Sequence, residues 1–172
     1  MTIKRQQYAA RKITEADLPA LLEATGKDSS HRLKPGGRSY HPENSVLIVE
    51  DAGEFIGSVF IVFVRPSGWT DADDTSLFPQ MTSLIINKDR RNQRAGTYLI
   101  GAVEEEVKSR GLTHLYLAVD REDLGVQRLY KRLGYEILPT EAHTTTTRSW
   151  TDSEGIVEKE VVWVIDMMKK FA

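Results

Sequence analysis

Apolar and polar residues alternate along much of this chain, and the breaks between patterns mark its elements. Residues 8–13 fit a short first strand. Thr14-Glu15-Ala16-Asp17 reads as a helix N-cap with an acid at the third helical position. The helix it opens runs to about Gly26 on an apolar stripe of Leu18, Leu21 and Leu22. Residues 27–44, with Pro35-Gly36-Gly37, His31 and His41, read as a loop facing substrate. Two runs rich in Val, Ile and Phe, 46–49 and 54–64, flank Asp51-Ala52-Gly53 and predict a hairpin. A polar loop at 65–79 carries Asp71, Asp73 and Asp74, and a fourth strand follows at 81–86.

Leu99, Val103 and Val107 recur on one helical face, which predicts a helix from about Gln93 to Arg110 with Gly111 as its stop. A fifth strand at 114–119 alternates Leu115, Leu117 and Val119 with His114, Tyr116 and Ala118. Residues 124–133 form a short helix ended by Gly134, 135–138 begin a strand, and 160–168 form the last one. The threonines at 144–147 fit a strand edge or a flexible polar stretch equally well. Consecutive strands in the first half imply antiparallel pairing, whereas the strand-helix-strand passage from 81 to 119 requires a parallel crossover. The expected fold class is α/β (α+β): a mixed, mostly antiparallel central sheet of about seven strands, parallel between the fourth and fifth, with flanking helices.

Composition narrows the function classes. The 172 residues fit a single domain over 1–172, large enough to build a core without a metal or disulfide. Zero cysteines exclude a disulfide scaffold, a Cys-ligated metal and a thiol nucleophile. The longest wholly apolar run, 59–64, falls far short of the ~20 residues that span a bilayer. The first residues lack the apolar core of a signal peptide, so a cytoplasmic location is expected, with no membrane partner. Net charge is −2, from 23 basic and 25 acidic residues, which argues against nucleic acid as a partner.

That near-neutral total hides a local excess. Between Leu84-Ile85-Ile86 and Ala95-Gly96-Thr97, four cations (Lys88, Arg90, Arg91, Arg94) face one acid, Asp89. A strand ends there and a helix opens. A helix N-terminus offers backbone N–H groups without intrahelical partners and a partial positive charge, which suits phosphate. A solvated basic turn accounts for the same residues equally well.

The second short helix adds a motif. Asp123-Leu-Gly-Val-Gln-Arg-Leu-Tyr-Lys-Arg-Leu-Gly-Tyr135 matches Asn-x-x-Ala-x-x-Leu-Tyr-x-x-x-Gly-Phe at Leu129, Tyr130, Gly134 and an aromatic Tyr135. Together with the basic helix start, and over residues 13–137, the chain resembles the GNAT superfamily of acyl-CoA-dependent N-acetyltransferases. Its phosphate signature is Arg/Gln-x-x-Gly-x-Gly/Ala. Aligned on Arg91, which keeps the usual interval to Gly111, Arg94 stands where the first Gly belongs and Gly96 satisfies the second. Asp123 replaces the usual Asn, and Val126 the usual Ala.

The resemblance implies acetyl-CoA as acyl donor, no metal, and direct transfer to a primary amine of a small molecule or peptide. It implies that pantetheine pairs with the backbone of Leu84, Ile85 and Ile86. The pyrophosphate would rest on Arg91, Asn92, Gln93, Arg94, Ala95, Gly96 and Thr97. Lys88, Arg90 or Lys131 would meet the 3′-phosphate, and Asp123 would lie near the cofactor. Tyr130 matches the tyrosine that donates a proton to the departing thiolate. A phenol of pKa ~10 is protonated at neutral pH and can hydrogen-bond developing sulfur charge. The alternative is a core aromatic packed with Leu129 and Leu133.

Several residues stay open. His31, His41, Asp74 and Asp120 are undifferentiated candidates for the general base. The acidic loop 71–74 either steers a cationic amine or is simply solvated. Trp69, His143 and Trp150 lie in long loops and can border an acceptor site, and Lys169-Lys170 reads as a solvated tail. The long hairpin after Leu138 offers an edge for a homodimer. Arg94, Asp123 and Val126 also fit a catalytically weak or inactive acyl-CoA-binding module of the same fold.

Overall fold

The structure, a computed structural model, describes residues 7–25, 41–64, 78–139, 144–151 and 157–172. The elements run β1 (Tyr8–Lys12), α1 (Leu18–Thr25), β2 (Ser45–Asp51), β3 (Glu54–Val64), β4 (Phe78–Ile86), α2 (Ala95–Ser109), β5 (His114–Asp120), α3 (Leu124–Arg132), β6 (Glu136–Ile137), β7 (Thr144–Thr151) and β8 (Val157–Lys170). One sheet holds them in the order β1-β2-β3-β4-β5-β8-β6, with β7 also paired to β8. Every neighbouring pair is antiparallel except β4 and β5.

Local chemistry explains the boundaries. The Asp17 carboxylate accepts from the Thr14 N–H and hydroxyl, both at 2.7 Å, and so closes the chain entering α1. Residues 15–17 form a 3-10 turn ahead of the α-helix rather than its first turn. Leu21 is buried, but Leu22 stays half exposed, so the stripe is narrower than the sequence implies. Ala52 and Gly53 both take positive φ (52° and 85°), the geometry of a two-residue hairpin turn between β2 and β3. The threonines at 144–147 prove to be strand: they pair with residues 161–164 of β8.

Gly57 is required by packing. A Cβ there would lie 2.5 Å from the Ile85 carbonyl oxygen, because β3 and β4 approach closely at the Gly57–Ile86 pair. A little further along, Ser83 and Leu84 both fall opposite Val59, with Ser83 at φ 53°. This bulge turns β4 next to its boundary with β5. There the parallel ladder contains a single register pair, Gln80 with Tyr116. Beyond it, residues 81–86 and 117–120 run on without pairing to each other, and the sheet opens.

Two apolar layers sandwich the sheet. Leu99, Val103 and Val107 of α2 and Tyr130 of α3 pack on Leu115, Leu117, Val119 and Met167 on one face. Leu21 packs on Val46, Ile48, Phe60 and Val62 on the other. Fully burying each such aliphatic side chain contributes roughly 1.5–3 kcal/mol.

Candidate active site

Both helices that follow the parallel strands start at the same end of the sheet, where β4 and β5 part. The first start differs from the sequence expectation. The helix begins at Ala95 rather than Gln93, and residues 91–94 form a turn with Asn92 and Arg94 at φ 60° and 69°. Arg94 occupies the position of the expected first Gly, and it holds the left-handed conformation that a glycine adopts without cost. Its side chain is exposed. Tyr8 of β1 braces the turn from the side, donating its hydroxyl to the Gln93 carbonyl at 2.7 Å, with its ring tilted against Tyr98 at 5.6 Å between centroids. Gln93 Nε2 reaches back to the Asp89 carbonyl at 3.0 Å.

The turn leaves the first N–H groups of α2, at Ala95, Gly96 and Thr97, without intrahelical acceptors. A Cβ on Gly96 would meet Ile86 only at an ordinary 3.7 Å, so nothing within the described chain forbids one. The four cations divide clearly. Arg90 is committed to Asp51 at 3.1 Å and Glu54 at 2.6 Å, which removes it from the expected phosphate set. Lys88, Arg91 and Arg94 make no ion pair among the described residues. Arg91 instead folds its Nε onto the Ile86 carbonyl at 3.0 Å, which occupies one backbone group of the expected pantetheine-pairing stretch.

Leu84, Ile85 and Ile86 lie on β4 past Gln80, on the strand edge that β5 has left. Their opposite edge is paired with β3 at Ile85 and Ile86. The backbone at 84–86 therefore faces the opening on that edge, except that Arg91 engages the Ile86 carbonyl.

At the second helix, Asp123 is an N-cap: its Oδ1 accepts the Val126 N–H at 2.9 Å. The aspartate in place of asparagine therefore has a structural use, since a cap of this kind contributes about 1 kcal/mol. Buried Gln127 ties α3 to the end of β5 through the carbonyls of Asp120 and Arg121. The helix ends in paired bonds from Gly134 N–H to the Lys131 carbonyl and from Tyr135 N–H to the Tyr130 carbonyl, both 3.0 Å. Gly134 permits this reversal with φ 89°. The reversal sets the Tyr135 ring edge-on against Tyr130 at 5.4 Å.

Tyr130 is 7% exposed and belongs to the core cluster, so the structural role is real. Its hydroxyl makes no hydrogen bond among the described residues. Burial pushes its pKa up to about 12, and the phenol stays protonated throughout the physiological range. The Tyr135 hydroxyl, by contrast, donates to Glu104 Oε1 at 3.1 Å, and Glu104 Oε2 takes Lys169 at 2.7 Å. Lys169 thus lies in β8 within a half-buried ion pair and is not part of a solvated tail.

Of the base candidates, His41 accepts the Glu43 N–H at 3.2 Å and stacks on Phe63. Asp120 accepts the Glu122 N–H at 2.9 Å. Both serve turns. Lys131 is exposed on α3. His31, Trp69, Asp71, Asp73, Asp74 and His143 lie outside the described residues, as do most of the 27–44 loop and the side chain of Trp150. The backbone of Trp150 lies on β7 opposite Glu158 and not in a loop, because the threonine-rich run ahead of it pairs with β8.

Sequence reasoning overlooks three contributors. Tyr8 and Glu104 act on partners 85 and 31 residues away, which no local pattern reveals. Asp166, buried in the middle of β8, did leave a signal: a lone acid inside the apolar run 161–168.

Comparison with known proteins places this geometry. The model of the acetyltransferase (GNAT) family matches residues 10–135. A search of curated proteins finds no match. Among solved structures, the ribosomal-protein-S18-alanine N-acetyltransferase of Escherichia coli is similar with a TM-score of 0.64 at 14% identity, covering 96% of this chain and 95% of that one. A ribosomal-protein-alanine N-acetyltransferase from Brucella melitensis gives 0.62 at 18% identity, covering 95% and 99%. A GNAT family acetyltransferase from Elizabethkingia anophelis, solved with acetyl-CoA bound, gives 0.61 at 15% identity, covering 95% and 98%. At these identities the likeness is one of fold.

Proposed function

The chain belongs to the acetyltransferase (GNAT) family, and on that premise we propose that it transfers an acetyl group from acetyl-CoA directly to a primary amine of a small molecule or peptide. The observation that carries this reading is the alignment of three features at one end of the sheet. They are a backbone edge at 84–86 left by β5, with its Ile86 carbonyl held by Arg91; a helix start with unpartnered N–H groups beside cations at 88, 91 and 94 that form no ion pair among the described residues; and a buried tyrosine whose hydroxyl has no partner among them.

Each feature has a chemical task. The β4 edge would take the pantetheine amides as an added strand, and the N-terminus of α2 would take the pyrophosphate. Arg91, Asn92, Gln93, Arg94, Ala95, Gly96 and Thr97 frame that seat, with Lys88 or Lys131 available to the 3′-phosphate. Asp123 contributes by capping α3 and so by fixing Tyr130. The amine nitrogen attacks the thioester carbonyl; a C–N bond forms and the C–S bond breaks. With a pKa near 12, Tyr130 lies well above a thiol at ~8.5. Its part is therefore a hydrogen bond to the sulfur as negative charge gathers there, rather than early proton release.

Calorimetric titration with acetyl-CoA, followed by thiol release over polyamines, aminoglycosides, amino acids and peptide N-termini, tests the reading. Tyr130→Phe should lower kcat about 10²-fold with little change in acetyl-CoA affinity. Unchanged turnover would remove Tyr130 from the chemistry, and absence of acetyl-CoA binding by the wild type would sink the whole reading.

A further inference from the structure

One buried carboxylate in the sheet has no partner among the described residues. Asp166 is 6% exposed, and its Oδ2 has no hydrogen-bond partner among the described residues. Its cross-strand neighbour on β5 is Ala118. On the outer edge the chain leaving β6 lies alongside, its Leu138 N–H donating to the Asp166 carbonyl at 2.9 Å. Along β8 the same face carries Val164 and Met168. These immediate neighbours are apolar, and the nearest polar ring on the face, Tyr116, lies one register pair away. A charge held there is expensive unless something arrives to pair with it, and burial accordingly pushes the Asp166 pKa up.

Its place in the sheet suggests what arrives. Leu115, Leu117 and Val119 turn into the layer that contains Tyr130. Tyr116, Ala118 and Asp120 therefore take the opposite face, and Asp166 shares it with its partner Ala118. Ala118 lies beyond Tyr116, where β5 has parted from β4, and it is exposed. Asp166 thus sits one strand spacing, about 5 Å, from the opening, on the face away from Tyr130. The other ionisable side chains on this face of β5 and β8 are placed differently. His114 and Lys170 lie toward the far end of the two strands, while Tyr116 is next to Ala118 on this face, opposite Met168. Glu136 of β6, also opposite Met168, and Glu160 of β8 share the face but are exposed, and the Asp120 carboxylate is already engaged by the Glu122 N–H.

Resting on the transferase reading above, we propose that Asp166 is the acceptor-binding carboxylate, pairing with the ammonium group of a cationic primary amine that enters beside Ala118. The same oxygen then receives the proton: R–NH3+ and the Asp166 carboxylate become R–NH2 and the neutral acid. The apolar surroundings that penalise an isolated charge favour this uncharged pair. The amine lone pair then forms the C–N bond as the C–S bond breaks. A second nitrogen proton, lost as the amide forms, balances the charge on the departing thiolate.

Calorimetric titration of phenethylamine, 1,4-diaminobutane and a tripeptide with a free N-terminus, with and without coenzyme A, compares wild type with Asp166→Asn. The proposal expects at least one amine to bind the wild type and to bind the variant at least tenfold more weakly. It also expects the variant's thermal midpoint to be equal or higher, since the amide has wild-type shape and no charge. Equal amine affinity in the two proteins overturns it, as does failure of every amine to bind the wild type. A lower midpoint also overturns it, by showing that the carboxylate holds the fold. Acetyl-CoA titration of the same samples judges the transferase reading separately, so the two failures are distinguishable.

Discussion

Arg94 stands at φ 69°, ψ 3° immediately before α2, and replacing it with glycine should stabilise the protein. A side chain with a Cβ in the left-handed region costs roughly 1–2 kcal/mol. Glycine removes that cost but returns roughly 0.5–1 kcal/mol through the greater freedom of the unfolded chain. The net gain expected is ~0.5–1 kcal/mol, and for a chain of this size each kcal/mol moves the midpoint by roughly 2–4 °C. Arg94→Gly should therefore melt about 1–4 °C above wild type. Arg94→Ala is the control, because it deletes the same cation and keeps the strain; it should melt close to wild type. Differential scanning calorimetry on the three proteins reads the effect directly. An Arg94→Gly midpoint at or below that of Arg94→Ala would refute the strain argument, whatever the loss of the guanidinium does. The same pair read by acetyl-CoA titration holds charge constant, so any difference in affinity reports only the backbone of the turn.

Two glycines facing the same strand should behave oppositely. Gly57→Ala drives a methyl to within 2.5 Å of the Ile85 carbonyl oxygen, which should cost about 1–3 kcal/mol and lower the midpoint in thermal unfolding. Gly96→Ala meets Ile86 only at 3.7 Å; it should leave the midpoint unchanged or higher while weakening acetyl-CoA binding by calorimetry. Acid titration probes the entry to α1. Arg11 hydrogen-bonds both Asp17 oxygens at 2.8 Å, with Thr14 adding two more bonds, and together they hold the Asp17 carboxyl well below the usual carboxylate range. A depressed folded pKa adds stability that is fully present above the unfolded value near ~4 and disappears as pH falls below it. The midpoint difference between wild type and Asp17→Asn should accordingly be constant from pH 7 to about 5 and close as pH falls below 4. A difference that persists unchanged at pH 2 would mean the ion pair is not its source.

Much of the fold is legible because its signals are local. The alternation at 114–119, the stripe Leu99–Val103–Val107 and the Ala52-Gly53 turn each depend on residues within a few positions, and their elements form as the pattern implies. The order of elements then leaves few topologies. At the candidate site, Gly134 ends α3 where the sequence expects the helix to stop, but the contact it makes possible between Tyr135 and Tyr130 is not read from the sequence. What escapes depends on partners distant in the chain. Nothing near Arg90 announces that Asp51 and Glu54 claim it, nothing near Lys169 announces Glu104, and nothing near Tyr8 announces the Gln93 carbonyl. The start of α2 is misplaced by two residues because Gln93 and Arg94 are good helix formers, and only the backbone reveals the left-handed turn that delays the helix.

The single ladder pair between Gln80 and Tyr116 gives the sheet a seam. The strands on one side, β1 to β4, and those on the other, β5 to β8, form two ladders joined by one rung and bridged by packing against α2. A seam of this kind is where local opening would begin. A molecule lying in the seam and hydrogen-bonding its edges would complete the missing rungs. With acetyl-CoA as the proposed donor, the protein would be most cohesive while it is bound and would loosen as coenzyme A leaves. Each turnover would zip the sheet shut and open it again, making release of the carrier a mechanical event in the fold as well as a dissociation.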